Sequence, residues 1–96
     1  MPDCEQLDRM AQLFGRAALL PIVQGLRTEL QGALATLRRG DMPDAHRLAG
    51  LTGILGFVAA SAALQAVDLG TAHAPDATQA VDAALMAVEK WLGQDS

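Results

Sequence analysis

The sequence predicts an all-α fold: an antiparallel up-down four-helix bundle with a short additional N-terminal helix, in one domain spanning 1–96. Of the 96 residues, 19 are Ala and 15 are Leu, against five Val and two Ile. Ala and Leu favour helices, whereas β-branched residues favour strands. Apolar residues also recur three and four positions apart, the period of a helix with one buried face. Short loops between such helices make neighbours antiparallel.

The N-terminal segment predicts a short helix. Asp3 and Gln6 have the spacing of a capping box. The apolar residues that follow at helical spacing are Leu7, Met10, Leu13 and Phe14. We expect this helix to end near Gly15. Pro21 suits the first turn of the second helix, although it could instead lie at a kink that continues the first.

The second helix carries a seam of apolar residues whose spacing alternates between three and four, as in a helix bundle. These residues are Val23, Leu26, Leu30, Ala33 and Leu37. Arg38 and Arg39 follow where cations complement a helix C-terminus, and Gly40 can adopt the left-handed cap. We therefore assign the two arginines to a solvated helix end rather than to a binding site.

Three further helices, the last two separated by a loop, complete the predicted order of elements. Asp41 can cap a third helix that runs to a bend near Gly56. A fourth helix carries the stripe Phe57, Ala60, Leu64 and Val67. Residues 70–75 predict a loop. Asp76 and Gln79 offer a second capping box for the last helix. Its apolar stripe is Val81, Ala84, Leu85, Val88 and Leu92.

Composition excludes several classes of function. The net charge of −4 and an aromatic content of 3% disfavour nucleic-acid binding, which needs cations and stacking platforms. A single cysteine, Cys4, indicates a reducing compartment, and the charged start has no apolar signal segment, so we expect a cytoplasmic protein. The 20 residues from Leu48 to Val67 carry no charge, but only eight are strongly apolar. Two successive buried helix faces explain this run better than a membrane span.

His46 is the candidate reactive residue. At about 100° per residue, the apolar side of its helix falls between about 140° and 240° from the imidazole. That side consists of Leu48, Leu51, Thr52 and Leu55. The ring is therefore expected to face solvent. Small residues surround it, and exposed helical glycines such as Gly50 and Gly53 each cost about 0.5–1 kcal/mol relative to alanine. The helix face that carries His46 therefore has few bulky side chains and could contact another protein closely.

The segment AHRLAGLTGILG, from Ala45 to Gly56, resembles the signature of histidine phosphotransfer (HPt) domains, which carry phosphoryl groups in phosphorelays. That signature is His, any residue, Leu, Lys, Gly and a second glycine six residues later. The residues that match are His46, Leu48, Gly50 and Gly56. The chain also resembles the family in size, acidity and helix order over nearly its whole length.

This resemblance implies that His46 accepts a phosphoryl group and that a receiver domain docks over the surrounding small residues. The docking residues that we assign are Met42, Ala45, Arg47, Ala49, Gly50 and Gly53. The implied partners are receiver domains of response regulators and a hybrid sensor histidine kinase. Magnesium is expected on the receiver only, so this chain needs no cofactor or metal of its own. We expect a monomer that binds neither nucleic acid nor membrane.

The sequence departs from the family at Ala49, which stands where the family has lysine. That lysine can help to neutralise the phosphoryl charge; Arg9, Arg16 and Arg47 are the cations that could replace it here. Ala49 leaves open a second reading, in which the chain docks on receivers or kinases without transferring phosphoryl groups. A structural or membrane-associated helical protein is the third reading, favoured only by the uncharged run.

Other chemistries find little support in the sequence. The glycines at 50, 53 and 56 do not form a phosphate-binding loop, and no Lys-Ser/Thr pair follows them, so autonomous kinase activity is not expected. Cys4 and His73 lack a metal-binding spacing. Asp68 and Glu89 are interpreted as solvated helix charges, and Trp91 as packing at the end of the bundle.

Overall fold

A computed structural model describes residues 5–41, 44–70 and 74–93, and within these ranges the predicted all-α class is confirmed. The helices are α1 (Glu5–Phe14), α2 (Arg16–Arg38), α3 (Ala45–Ile54), α4 (Val58–Asp68) and α5 (Ala74–Gly93). Asp3, Cys4, Met42, Pro43 and His73 lie outside the described residues.

The break between α1 and α2 occurs at Gly15, as predicted, and its φ of 87° is one that glycine adopts without strain. Pro21 does not start α2, because the helix begins five residues earlier at Arg16. Ala17 and Ala18 favour helix and let α2 form between the glycine and the proline. Pro21 therefore lies inside the helix, where it lacks the N–H that would bond to the carbonyl of Ala17.

The starts of α3 and α5 differ from the predictions. Asp44, and not Asp41, precedes the first residue of α3, and its side chain makes no capping hydrogen bond. The Asp41 carboxylate instead lies 3.5 Å from Nε of Arg39. Helix α5 begins at Ala74, so Asp76 lies within its first turn rather than at the cap. At the end of α2, Gly40 adopts the predicted left-handed conformation, with φ 82°.

The uncharged run from Leu48 to Val67 is divided between α3 and α4 by a turn at Gly56. Gly56 has φ 92°, and a Cβ added there would clash with the side chain of Gln6. Two features therefore favour glycine at position 56: the left-handed backbone conformation and the close approach of α1. Among the described residues, no helix is both long enough and apolar enough to cross a membrane.

The predicted apolar stripes form the core. Helix α2 packs against α3 and α5, α4 packs against the same two helices, and α1 packs against α2. Every residue of the α2 seam and of the α4 stripe is buried. On α5, the residues from Val81 to Val88 of the predicted stripe are buried and Leu92 is partly buried.

Trp91 joins three helices at one end of the molecule. Its side chain is fully buried, and its Nε1 donates a hydrogen bond to Oδ1 of Asp8 on α1 at 3.1 Å. The guanidinium of Arg16 lies 4.0 Å from the centre of the indole ring, and its Nη2 donates to the backbone oxygen of Trp91 at 2.6 Å. The predicted packing role of Trp91 is confirmed.

Candidate functional site

His46 is the second residue of α3, and its side chain is 88% exposed, as the helical wheel predicts. It lies beside an open recess of about 280 Å³ between α3 and α4. The recess is lined by His46, Ala49, Gly50, Gln65 and Asp68. The imidazole is thus accessible from solvent and borders a concave surface at the same time.

Asp68, the last residue of α4, faces the imidazole. Its Oδ2 lies 3.5 Å from Nδ1 of His46, and its side chain is 43% exposed. Asp68 is exposed, as expected for a solvated helix charge, and its contact with His46 is a feature that the sequence analysis did not predict. The sequence could have predicted this contact, because His46 and Asp68 lie at similar distances along the chain from the turn at Gly56. Two helices that fold back on each other about that turn bring these residues together.

Gln65 lies one helical turn before Asp68 and belongs to a different set of contacts. Its Nε2 lies 3.5 Å from Oγ of Ser61, which in turn donates to the backbone oxygen of Ala49 at 2.8 Å. Ser61 is buried between α3 and α4. The side chain of Gln65 therefore continues the contact between the two helices, whereas Asp68 contacts the ring.

The assignment of Ala45 and Ala49 to the docking surface needs correction, because each residue is only 3% exposed. The buried side of α3 is Ala45, Leu48, Ala49 and Thr52. Its centre lies about 110° from His46, instead of opposite the ring. Alanines let α4 approach closely, and the Thr52 hydroxyl is satisfied by the backbone oxygen of Leu48 at 2.9 Å. Ala49 therefore forms the floor of the recess.

The two glycines near His46 have different roles. A Cβ added at Gly53 would lie 3.1 Å from Oγ of Ser61, so close contact with α4 explains that glycine. A Cβ added at Gly50 would meet no atom within 4 Å. Packing therefore gives no reason for glycine at position 50, next to the recess.

We expect Gly50→Ala to raise the free energy of unfolding by about 0.5–1 kcal/mol, because alanine restricts the unfolded chain and favours helix. Gly53→Ala is the matched control on the same helix, and its gain should be smaller because Ser61 must move. Denaturant unfolding followed by far-UV circular dichroism measures both. A loss of stability in Gly50→Ala would contradict the open surface at this position.

The three cations considered as replacements for the family lysine have other partners. Arg47 forms ion pairs with Glu29 and, at 4.0 Å, with Asp44. Arg9 pairs with Glu5 at 2.6 Å within α1. Arg16 is held over Trp91 at the start of α2. None of the contacts described for these three arginines is with His46.

Comparisons with protein-family models, with curated proteins and with solved structures find no match for this chain. The resemblance to HPt domains consequently depends on the motif around His46 together with the size, acidity and helix order of the chain. Of the predicted docking residues, Arg47, Gly50 and Gly53 are exposed, and Met42 is outside the described residues.

Proposed function

We propose that this chain is a phosphorelay carrier, which accepts a phosphoryl group on His46 from a receiver-domain aspartate and passes it to the aspartate of another receiver. The observation that carries the proposal is the exposed imidazole at the edge of the recess, with open space beside it at Gly50. A neutral imidazole has a lone pair on one ring nitrogen, which can attack phosphorus in line with the bond that breaks.

The receiver supplies the second half of this site. It provides the aspartate and the magnesium, while this chain provides a nucleophile held on a rigid helix. Such a transfer depends mainly on positioning and on charge stabilisation, so no acid–base machinery is needed in the carrier. On this proposal the chain itself binds neither a metal ion nor a nucleotide and has no kinase activity.

We further propose that α2 to α5 form an antiparallel up-down four-helix bundle, with α1 as the additional helix. The pairwise packing of α2 and α4 against both α3 and α5 supports this arrangement. Two contacts support the antiparallel order: Arg16 at the start of α2 with Trp91 near the end of α5, and His46 at the start of α3 with Asp68 at the end of α4. We propose a cytoplasmic monomer that binds receiver domains and a hybrid sensor kinase.

A second candidate function is a docking module that occupies receivers or kinases without transferring phosphoryl groups. Alanine at position 49, where the family has lysine, and the pairing of Arg47 with Glu29 favour it, because neither residue offers a free positive charge to a phosphoryl group on His46. The two candidates differ in chemistry and share the same surface.

Transfer from phosphorylated receivers distinguishes the two functions. The intact chain is incubated with each of a panel of receivers labelled on the aspartyl phosphate, and an unlabelled second receiver is then added. A carrier acquires acid-labile label and loses it to the second receiver. Receivers that bind the chain without labelling it would support the docking module and contradict the carrier. His46→Gln serves as the control for labelling at any other residue.

A further inference from the structure

The recess between α3 and α4 carries a negative charge, and its lining contains no lysine or arginine. The described residues that line it are His46, Ala49, Gly50, Gln65 and Asp68. Among the described residues, the ion-pair contact of the Asp68 carboxylate is with Nδ1 of His46 at 3.5 Å. The imidazole carries no charge in the neutral form that attacks phosphorus, so the charge of Asp68 is then unbalanced.

The arginines near the start of α3 are held outside this recess. Arg47 pairs with Glu29 of α2 and, at 4.0 Å, with Asp44. These three residues line a separate recess between α2 and α3. Arg39, at the end of α2, lies 3.5 Å from Asp41. Positive charge on the neighbouring elements is therefore engaged by carboxylates outside the recess of His46.

Phosphoryl transfer at His46 needs positive charge at this place. A phosphoryl group on the ring would stand at the edge of the recess beside Asp68, and like charges at such short range repel each other. Cations directed at the phosphoryl oxygens promote phosphoryl transfer. A cation in the recess would offset the charge of Asp68 and contact those oxygens at the same time.

We propose that the recess receives a long basic side chain, Lys or Arg, from the receiver that docks on this chain, an inference that rests on the proposed function. Asp68 anchors the ammonium or guanidinium group. Gln65 directs Nε2 towards Ser61, so its Oε1 is the second acceptor. The basic group keeps its proton throughout, so it forms ion pairs and hydrogen bonds and takes no part in bond making.

The recess has the size and the composition for such a side chain. Its volume is about 280 Å³, and a Cβ at Gly50 would meet no atom within 4 Å, so the entrance is open. Lys and Arg combine an apolar stem with a charged tip. The methyl group of Ala49 on the floor matches the stem, and the carboxylate of Asp68 matches the tip.

The charge of the recess excludes the other kinds of side chain. An apolar side chain in the recess would remove water from the Asp68 carboxylate without replacing its hydrogen bonds, which is costly. An acidic side chain would be repelled by it. A carboxylate accepts about four hydrogen bonds, so Asp68 can hold a basic group and keep its contact with His46.

The first test needs no receiver. The full, unphosphorylated chain is titrated with n-butylammonium and with n-propylguanidinium, the side chains of lysine and arginine, at constant ionic strength and mildly alkaline pH. Binding is followed by ¹H–¹⁵N NMR of the backbone amides. We expect saturable shifts at Gly50, Gln65 and Asp68 with at least one of the two cations. The uncharged n-butanol, which has the same alkyl chain as n-butylammonium, should cause none.

Three substitutions that preserve side-chain shape test the charge of the recess. Asp68→Asn should weaken cation binding about fivefold and Gln65→Glu should strengthen it about fivefold, which corresponds to about 1 kcal/mol. Glu89→Gln, which removes an exposed carboxylate near the end of α5, should leave the affinity unchanged. All three positions are exposed, so the fold should be kept, and circular dichroism verifies the helix content. Shifts with neither cation, or equal affinities in the wild type, Asp68→Asn and Gln65→Glu, would overturn the proposal.

The second test identifies the basic residue of the receiver. In a receiver that binds the chain, each exposed Lys and Arg is replaced in turn by Met, and the Kd is measured with the wild type and with Asp68→Asn. We expect one replacement to weaken binding to the wild type about fivefold and to have no further effect on binding to Asp68→Asn. Independent effects of every Lys and Arg on the two proteins would contradict the proposal.

The two tests separate the proposal from the function on which it rests. If receivers label His46 but no basic residue is coupled to Asp68, the carrier function stands and the proposed occupant of the recess is wrong. If the small cations bind as expected but no receiver binds the chain, the receiver function is wrong and the proposal fails with it.

Discussion

Replacing His46 with glutamine will abolish phosphoryl transfer to this chain and leave its stability nearly unchanged. The glutamine amide has a similar reach but no nucleophilic nitrogen, so the N–P bond cannot form. The side chain of His46 is 88% exposed and contributes little to the core, so the free energy of unfolding should change by less than about 0.5 kcal/mol.

The chain offers a matched control for this substitution, because it contains two histidines. His73→Gln should retain the full acid-labile label that wild-type protein acquires from a phosphorylated receiver, and the double variant should behave like His46→Gln. Label that persists in His46→Gln, or that disappears in His73→Gln, would exclude His46 as the acceptor.

Trp91→Ala is expected to cause the largest loss of stability, about 3–5 kcal/mol. The substitution removes a fully buried indole, its hydrogen bond to Asp8 and the surface on which Arg16 stacks. A domain of this size has only about 5–15 kcal/mol in total. The melting temperature should therefore fall by roughly 15 °C or more, as measured by far-UV circular dichroism.

Trp91→Phe separates the contribution of the aromatic ring to stability from that of the hydrogen bond to Asp8. Phenylalanine keeps an aromatic ring beneath Arg16 but loses the N–H that donates to Asp8, so we expect a loss of about 1–2 kcal/mol. A loss below about 1 kcal/mol for Trp91→Ala would contradict the packing of α1, α2 and α5 around this residue. Because His46 lies in a different set of contacts, Trp91→Phe should still accept phosphoryl groups.

The helical periodicity of the sequence is sufficient to predict the all-α class and most of the buried helix faces. The seam from Val23 to Leu37 and the stripe from Phe57 to Val67 are buried because regular spacing places large apolar side chains on one side of each helix. Gly15, Gly40 and Gly56 were predicted as breaks, and each has a positive φ. These features are local, so a single sequence contains the information for them.

The orientation of α3 could not be predicted in the same way. A wheel weighted by hydrophobicity points the leucines inward. The structure buries Leu48 and Leu55 as the wheel predicts, but it also buries Ala45 and Ala49. Close approach between two helices depends on small residues on both of them, here Ala49 and Ser61, and on hydrogen bonds between them. Such pairing depends on tertiary contacts, which periodicity within one helix does not encode.

At the candidate site, too, features set by one helix could be predicted from the sequence, whereas contacts between helices could not. The exposure of His46 followed from its own helix, and the structure agrees. Its contact with Asp68 depends on how α4 returns along α3, and the partner of Arg47 depends on Glu29 of α2. The residues that contact His46 and Arg47 from other helices therefore lie outside the motif around His46.

The residue that carries the phosphoryl group can be located directly. The intact chain is incubated with a phosphorylated receiver, kept at neutral to alkaline pH to preserve the N–P bond, and examined by mass spectrometry of the whole protein and of its fragments. We expect a mass gain of one phosphoryl group, carried by His46. A phosphoryl group on any other residue, or no gain with receivers that bind the chain, would contradict it.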